Sequence, residues 1–305
     1  MTRAALDAVP FTAADLGFAG DDASGWTKTL RGTPVAFRPI RALAEFDPVE
    51  RLQQVVFGVS DRDLAAASGL IVVQETGGEI LGAYVPDGGD LTLAGVLVGW
   101  GGWVDRRPRI LSDLLAVEPR FRNLGLGGEL KKLQAAVALS RGFKEIVWTV
   151  DPLRAANARL NFEKLGAVSD VYERDRYGAE YGAGLYGGMP TDRLHVRWEI
   201  GSDHVRDRLL GGAPARDRDA VASLPAWRPG LRAHAARIAI PDDVDALLAA
   251  DPDAARRWRL DTRAQIEGAF ADGWHVTGFA PGTGPDRSAS SLLLERPHDA
   301  GDAGS

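Results

Sequence analysis

The stretch "RFRNLGLGGELKK", Arg120–Lys132, packs three glycines into four positions between an arginine-rich approach and an amphipathic run. After it, Leu126, Leu130, Leu133 and Val137 recur at the spacing of one helical face, with Lys131, Lys132 and Gln134 turned away and Gly142 as the stop. Before it, "RILSDLLAV" reads as a strand. A strand that runs into Arg122, Gly125, Gly127 and Gly128 and then into a helix aims backbone N–H groups and a positive helix end at one point, an arrangement suited to an anion. Glycine lets a diphosphate approach the main chain, and a tight turn draws on positive φ. Arg120, Arg122, Lys131 and Lys132 oppose the dipole of the helix they begin, which an anion nearby would explain. A Walker A loop is excluded, because no Gly-Lys-Ser or Gly-Lys-Thr follows, and a dinucleotide fingerprint needs glycine or alanine where Leu130 stands.

Outward from this point, residues 1–33 lack periodicity and read as an N-terminal arm. "PVAFRPI" from Pro34 is a strand, and "EFDPVERLQQVVFG" a helix with Val49, Leu52, Val55 and Val56 on one face. "EILGAYVP", "LTLAGVLVGW" and "RILSDLLAV", divided by turn-rich segments, predict a three-strand antiparallel meander. Downstream come the strand "FKEIVWTV", the helix "AANARLNFEKL" stopped by Gly166, and the strands "VSDVYERDRYG" and "RLHVRWEI". This sets a domain at 34–200. Residues 201–233 read as a short helix and a linker, and 234–297 as a small C-terminal α/β piece with one or two helices and a hairpin. Such a piece is too small for a robust core alone and needs a surface to pack on. Residues 298–305 read as a disordered tail.

Composition narrows the function classes. A chain of 305 residues with 45% hydrophobic content carries real cores, and 36 basic against 42 acidic side chains without a basic run argue against nucleic acid as a partner. The absence of cysteine removes disulfides, thiolate metal sites and thiol nucleophiles, and fits a reducing cytoplasm. No membrane span and no signal peptide is legible, so the expected address is cytoplasmic.

"VEPRFRNLGLGGELKKL" resembles the acetyl-CoA motif of the GNAT acyltransferase superfamily, through Arg122, Gly125 and Gly127 at the head of the helix that cradles the CoA pyrophosphate. "EKLGA", Glu163–Ala167, looks like that family's second conserved helix end, and the element order from Pro34 onward matches its fold. "WTVDPLRAANARLNF" and "YERDRYG" further resemble a bacterial branch of predicted acetyltransferases. The resemblance implies an α+β fold with a mixed, mostly antiparallel central sheet flanked by helices, acetyl-CoA as acyl donor, and no metal. It places CoA on Arg122, Asn123, Leu124, Gly125, Leu126, Gly127 and Gly128. The thioester oxygen falls to main-chain N–H groups around Leu115, Ala116 and Val117.

In such a reaction an amine attacks the thioester directly, which suits a chain without cysteine. The ammonium must first lose a proton, since a lysine-like amine has a reference pKa of about 10.4. Asp113 and Glu118 are the candidate bases; each has a plainer reading, Asp113 on the solvated face of its strand and Glu118 as a loop acid, and a water relay is a third route. The leaving thiolate is usually protonated by a tyrosine just before the "EKLG" segment, where this chain has Phe162. Tyr177 and then Tyr172 are the candidate replacements, against a core role for Tyr172 and a hairpin or homodimer contact for the tyrosines that follow it. Asn157 and Asn161 are candidates for CoA contact or for helix capping. The expected acceptor is a small amine or a peptide. Phe162 also opens another class of reading, a catalytically silent CoA-binding regulatory or structural module, and nucleotide binding at the same loop is a third.

Overall fold

Residues 9–104, 106–178, 187–212, 218–282 and 289–296 are described by a computed structural model of the chain. The fold is α+β, with open, mostly antiparallel sheet flanked by helices. Two compact units make it up, one from Met1–Val147 with Glu199–Gly211, the other from Trp148–Trp198 with Gly212–Ser305.

In the first unit, strands β1 (Ala19–Asp21), β2 (Gly25–Leu30), β3 (Thr33–Pro39), β4 (Glu79–Asp87), β5 (Asp90–Val104) and β6 (Arg107–Val117) run antiparallel in chain order. Strand β7 (Ile146–Val150) starts parallel to β6, with Ile110 opposite Ile146 and Leu111 opposite Val147. Helices α1 (Phe46–Phe57) and α2 (Ala67–Glu75) close one face over Ile40, Val96, Val98 and Ala116. Gly58 ends α1 at φ 62°, a conformation open to glycine at little cost. Helix α3 (Leu126–Ser140) lies over β4, β5 and β6. Successive strand residues face opposite ways, so Leu115 and Val117 turn to α3 while Ala116 joins the α1–α2 core.

One irregularity shapes β6. Val98 pairs with Leu114 but Gly99 pairs with Ser112, leaving Asp113 as an extra residue. This β-bulge turns Asp113 and Leu114 to the same face, where Asp113 accepts a 3.1 Å bond from Trp100 Nε1 and Leu114 packs on the α1–α2 core. Ser112 and Leu115 both face α3.

The second unit orders its strands β9–β8–β11–β12–β10: β8 (Val168–Glu173), β9 (Arg193–Trp198), β10 (Ala235–Pro241), β11 (His275–Ala280) and β12 (Ala289–Glu295), all antiparallel. After β7, helix α4 (Ala155–Ala158) runs into a π-helical turn, Arg159–Lys164. Helix α5 (Asp203–Gly211) belongs to the first unit; α6 (Arg218–Ala222), α7 (Val244–Ala250) and α8 (Pro252–Ala271) belong to the second. Asp243 caps α7 by accepting from the N–H groups of Asp245 and Ala246, and Asp251 caps α8 ahead of Pro252 at its first position. The C-terminal piece finds its surface by sheet extension, β11 pairing with β8 at Val276 and Ser169.

Three sequence expectations change. Residues read as an unstructured arm supply β1 and β2, and bury Phe11, Leu16, Phe18 and Trp26; Phe18 meets Phe37 edge-on at 5.3 Å. Few apolar residues suffice there because Thr27 and Thr29 of β2 are exposed and Lys28, on the side of Trp26 and Leu30, is partly buried through polar bonds. Helix α2 is absent from the sequence reading, since "GLIVV" is a continuous apolar run with no helical period; only Leu70 and Val73 are buried. Lys131 and Gln134, read as turned away from the core, are buried at 3% and 0% exposure, because polar partners wait for them under α3.

Candidate functional site

Chain entry to α3 is a 3-10 turn, Pro119–Leu124, followed by Gly125 at φ 80°, ψ 19°. This left-handed conformation costs other L-residues roughly 1–2 kcal/mol, which explains a glycine at 125 by backbone geometry alone. Gly127 differs. An added Cβ there would stand 3.6 Å from Leu115 Cδ2 and 3.7 Å from Val117 Cγ2, ordinary contacts, so neither φ nor internal packing requires glycine. No side chain caps α3; the Gly125 carbonyl accepts from the N–H groups of Gly128 and Glu129 at 3.1 and 3.3 Å. The leading N–H groups of the helix are thus directed outward with the positive end of its dipole.

The basic groups around this point are not equivalent. Arg120 is neutralised by Glu118 at 2.5 Å and Asp87 at 2.6 Å, which hold its guanidinium above its ordinary pKa. Lys28 bonds Glu129, in the first turn of α3, at 2.6 Å and the Leu16 carbonyl at 2.7 Å. Lys132 shares Glu129 at 3.0 Å. Arg122 is exposed, and among the described residues its side chain has no hydrogen bond or ion pair. The arginine in register with the motif is therefore the one available to an outside anion.

The structure places the candidate bases apart in character. Asp113 is exposed on the bulge and held by Trp100, and Glu118 is taken up by Arg120. Leu115, Ala116 and Val117 finish β6, paired with Leu97, Val96 and Gly95. Asn123 and Leu124 lie in the 3-10 turn, Asn123 exposed.

In the second unit, Tyr172 donates to Asp192 Oδ2 at 2.6 Å, and Arg263 grips both oxygens of Asp192 at 2.9 and 2.7 Å. Burial, then the bond to the Asp192 carboxylate, pushes the Tyr172 phenol well above its ordinary range. Its proton is held inside a structural network. Tyr177 is 40% exposed, with its hydroxyl 3.5 Å from Thr149 Oγ1 on β7 and its ring beneath Arg193 at 4.9 Å. Asn157 is exposed on α4; Asn161 and Phe162 are buried in the π-helical turn. The tyrosines beyond Tyr177 in "GAEYGAGLYGG" lie outside the described residues.

His195 makes a contact that carries no local signal in the sequence. Its Nε2 lies 2.7 Å from Glu173 Oε2 on the neighbouring strand, and Arg176 bonds the same oxygen at 2.5 Å. Arg176 first, then His195, holds the Glu173 carboxyl below the usual range. Only strand register, with Val171 opposite His195, brings these groups together. Among the described residues no cluster of histidine, aspartate and glutamate is arranged to hold a metal, and no helix is long and apolar enough to cross a membrane.

No family model and no curated protein matches the chain. Among solved structures it is similar to Arabidopsis thaliana Naa50 in complex with the bisubstrate analogue CoA-Ac-MVNAL, at 17% identity and a TM-score of 0.43 over 53% of this chain and 97% of that one. It is similar to the ribosomal-protein-S18-alanine N-acetyltransferase of Escherichia coli at 15% identity and a TM-score of 0.42, over 55% and 95%. A GNAT-family acetyltransferase of Streptococcus pneumoniae gives 14% identity and a TM-score of 0.41, over 53% and 97%. Likeness at this level decides neither substrate nor chemistry.

Proposed function

We propose that the chain is an acyl-CoA-dependent N-acyltransferase of the GNAT type, with acetyl-CoA as donor and an amine on a small molecule or peptide as acceptor. The observation that carries this reading is the start of α3: an uncapped helix, a glycine at 127 that neither φ nor packing demands, and Arg122 without a partner among the described residues. Together these fit a diphosphate seated on bare backbone. The "EKLGA" segment and the motif spacing support the superfamily, and "WTVDPLRAANARLNF" its bacterial branch.

Donor binding then falls to Arg122 and the main chain from Asn123 to Gly128, with Leu115–Val117 supplying N–H groups for the thioester oxygen. The amine nitrogen attacks the carbonyl carbon, the carbon–sulfur bond breaks, and the thiolate needs a proton. Tyr177 is the proposed donor, its exposed hydroxyl contrasting with that of Tyr172, which Asp192 holds. Asp113 remains the proposed base, its carboxylate accessible on the bulge. A second reading, CoA binding without turnover, is favoured by Phe162, which is fully buried and offers no proton at the position where the superfamily keeps its acid.

Isothermal titration with acetyl-CoA beside NAD and ATP tests the binding half. Micromolar affinity confined to CoA is the expected result, and absence of CoA binding removes both readings. Turnover across a panel of amines and N-terminal peptides then separates enzyme from silent module.

A further inference from the structure

Under α3 lies a buried polar chain that the proposed chemistry does not use. Lys131 Nζ donates to Ser112 Oγ at 2.8 Å, and Ser112 Oγ donates to Gln134 Oε1 at 3.1 Å. Gln134 Nε2 and Glu79 Oε1 converge over Gly99, standing 2.7 and 3.0 Å from the point that a Cβ on residue 99 would occupy. All four side chains are buried: Lys131 at 3%, Gln134 at 0%, Glu79 at 2% and Ser112 at 6% exposure. Arg141 approaches Glu79 at 3.6 Å and Asp22 at 3.7 Å. Burial draws Lys131 down and Glu79 up, both to about 7.

Polar burial of this extent is costly, and apolar residues would pack α3 on β4–β6 more cheaply. What apolar packing does not supply is direction. Ser112 is the last residue of β6 before the Asp113 bulge. Loss of the bulge would slip the strand end by one residue against β5, turning Ala116 to α3 and sending Leu115 and Val117 to the opposite core. It would also exchange which N–H groups at the strand end point along the sheet toward β5 and which point away from it.

We propose that Ser112, Lys131 and Gln134 are positioning residues: they key one turn of α3 to β6, fix the bulge at Asp113, and so set the strand-end N–H groups and the helix start as a single preformed site. This rests on the CoA reading for its function but not for its geometry, and two readouts keep them apart. In the free protein, backbone NMR of Ser112→Ala is expected to show doubled or exchange-broadened signals over residues 112–117, with Ser112→Thr restoring a single set. In the presence of acetyl-CoA, Ser112→Ala is expected to weaken binding about tenfold and Ser112→Thr to recover it. Lys131→Met, which keeps an unbranched side chain one atom shorter but removes the donor to Ser112, is expected to weaken binding. A single unperturbed set of signals for Ser112→Ala, shifted only beside residue 112, overturns the proposal whatever CoA does. An intact NMR effect with no CoA binding by the wild type upholds the geometry and removes the CoA reading instead.

Discussion

Gly127 and Gly125 make a matched pair in which stability and binding should move in opposite directions. Gly125→Ala forces a Cβ into φ 80°, at a cost of about 1–2 kcal/mol. Gly127→Ala places a Cβ in ordinary contact with Leu115 and Val117, within the first turn of a 15-residue helix, and should gain up to about 1 kcal/mol from helix propensity. The two variants should therefore differ by about 2 kcal/mol, or roughly 4–8 °C in melting temperature for a unit of this size. If the bare backbone at 127 exists to admit a diphosphate, the more stable variant is nevertheless the one that loses donor affinity directly, by at least about tenfold, equivalent to about 1.4 kcal/mol. Differential scanning calorimetry and acetyl-CoA titration on the same preparations provide both numbers. A Gly127→Ala protein that melts higher and binds acetyl-CoA like the wild type would refute the reasoning, because it would leave Gly127 without a purpose.

Other expectations can be checked with similar means. Arg122→Ala should weaken acetyl-CoA binding several-fold and make it less salt-dependent, whereas Arg120→Ala, which removes a group already paired, should do so far less; equal losses would contradict the distinction drawn between them. Tyr177→Phe should lower the turnover rate with little change in donor affinity, and an unchanged rate would eliminate it as the acid. In the second unit, Arg259 grips Asp151 at 2.8 and 2.6 Å with both side chains fully buried. Burial alone would push Asp151 up, but the Arg259 charge and bonds outweigh it and hold the carboxyl low. Asp151→Ala should cost about 3–5 kcal/mol in a denaturation experiment by stranding the guanidinium, and adding Arg259→Met should recover part of that loss; strict additivity would argue against the pair. Finally, Lys131 is depressed to about 7 when folded and is ordinary when unfolded, so its contribution to stability grows as pH rises from about 7 toward 10.5 and is lost as pH falls. The stability difference between wild type and Lys131→Met should accordingly change by about 1.4 kcal/mol per pH unit across that window, and a constant difference would show that the amine titrates normally.

The parts of the fold legible in the sequence are those whose signal is local. Helices α1 and α3 declare themselves by period, the meander β4–β6 by its turns, and Gly125 and Arg122 by spacing. Helix α2 hides because Leu70–Val73 are consecutive apolar residues, and β2 because only Trp26 and Leu30 of its six residues are buried. The bulge leaves no local mark, since "LSDLLAV" alternates plausibly in either register. Lys131 misleads because lysine is rarely buried without a partner, and its partner Ser112 sits on another element. His195 and Glu173 likewise meet only through pairing of β8 and β9.

The interleaving of the two units along the chain governs how the protein is made. Glu199–Gly211 belongs with residues synthesised far earlier, so the first unit has all its parts only after the ribosome has also produced Trp148–Trp198. At about 5–20 residues per second that is a wait of several seconds, during which α3 and its sheet exist without α5. The same order means that no single cut separates the units: a fragment ending at Ile200 removes α5 from one and β10–β12 from the other. Excised fragments should be drawn at the unit boundaries, with Glu199–Gly211 spliced back onto Met1–Val147, if the first unit is to be studied by itself.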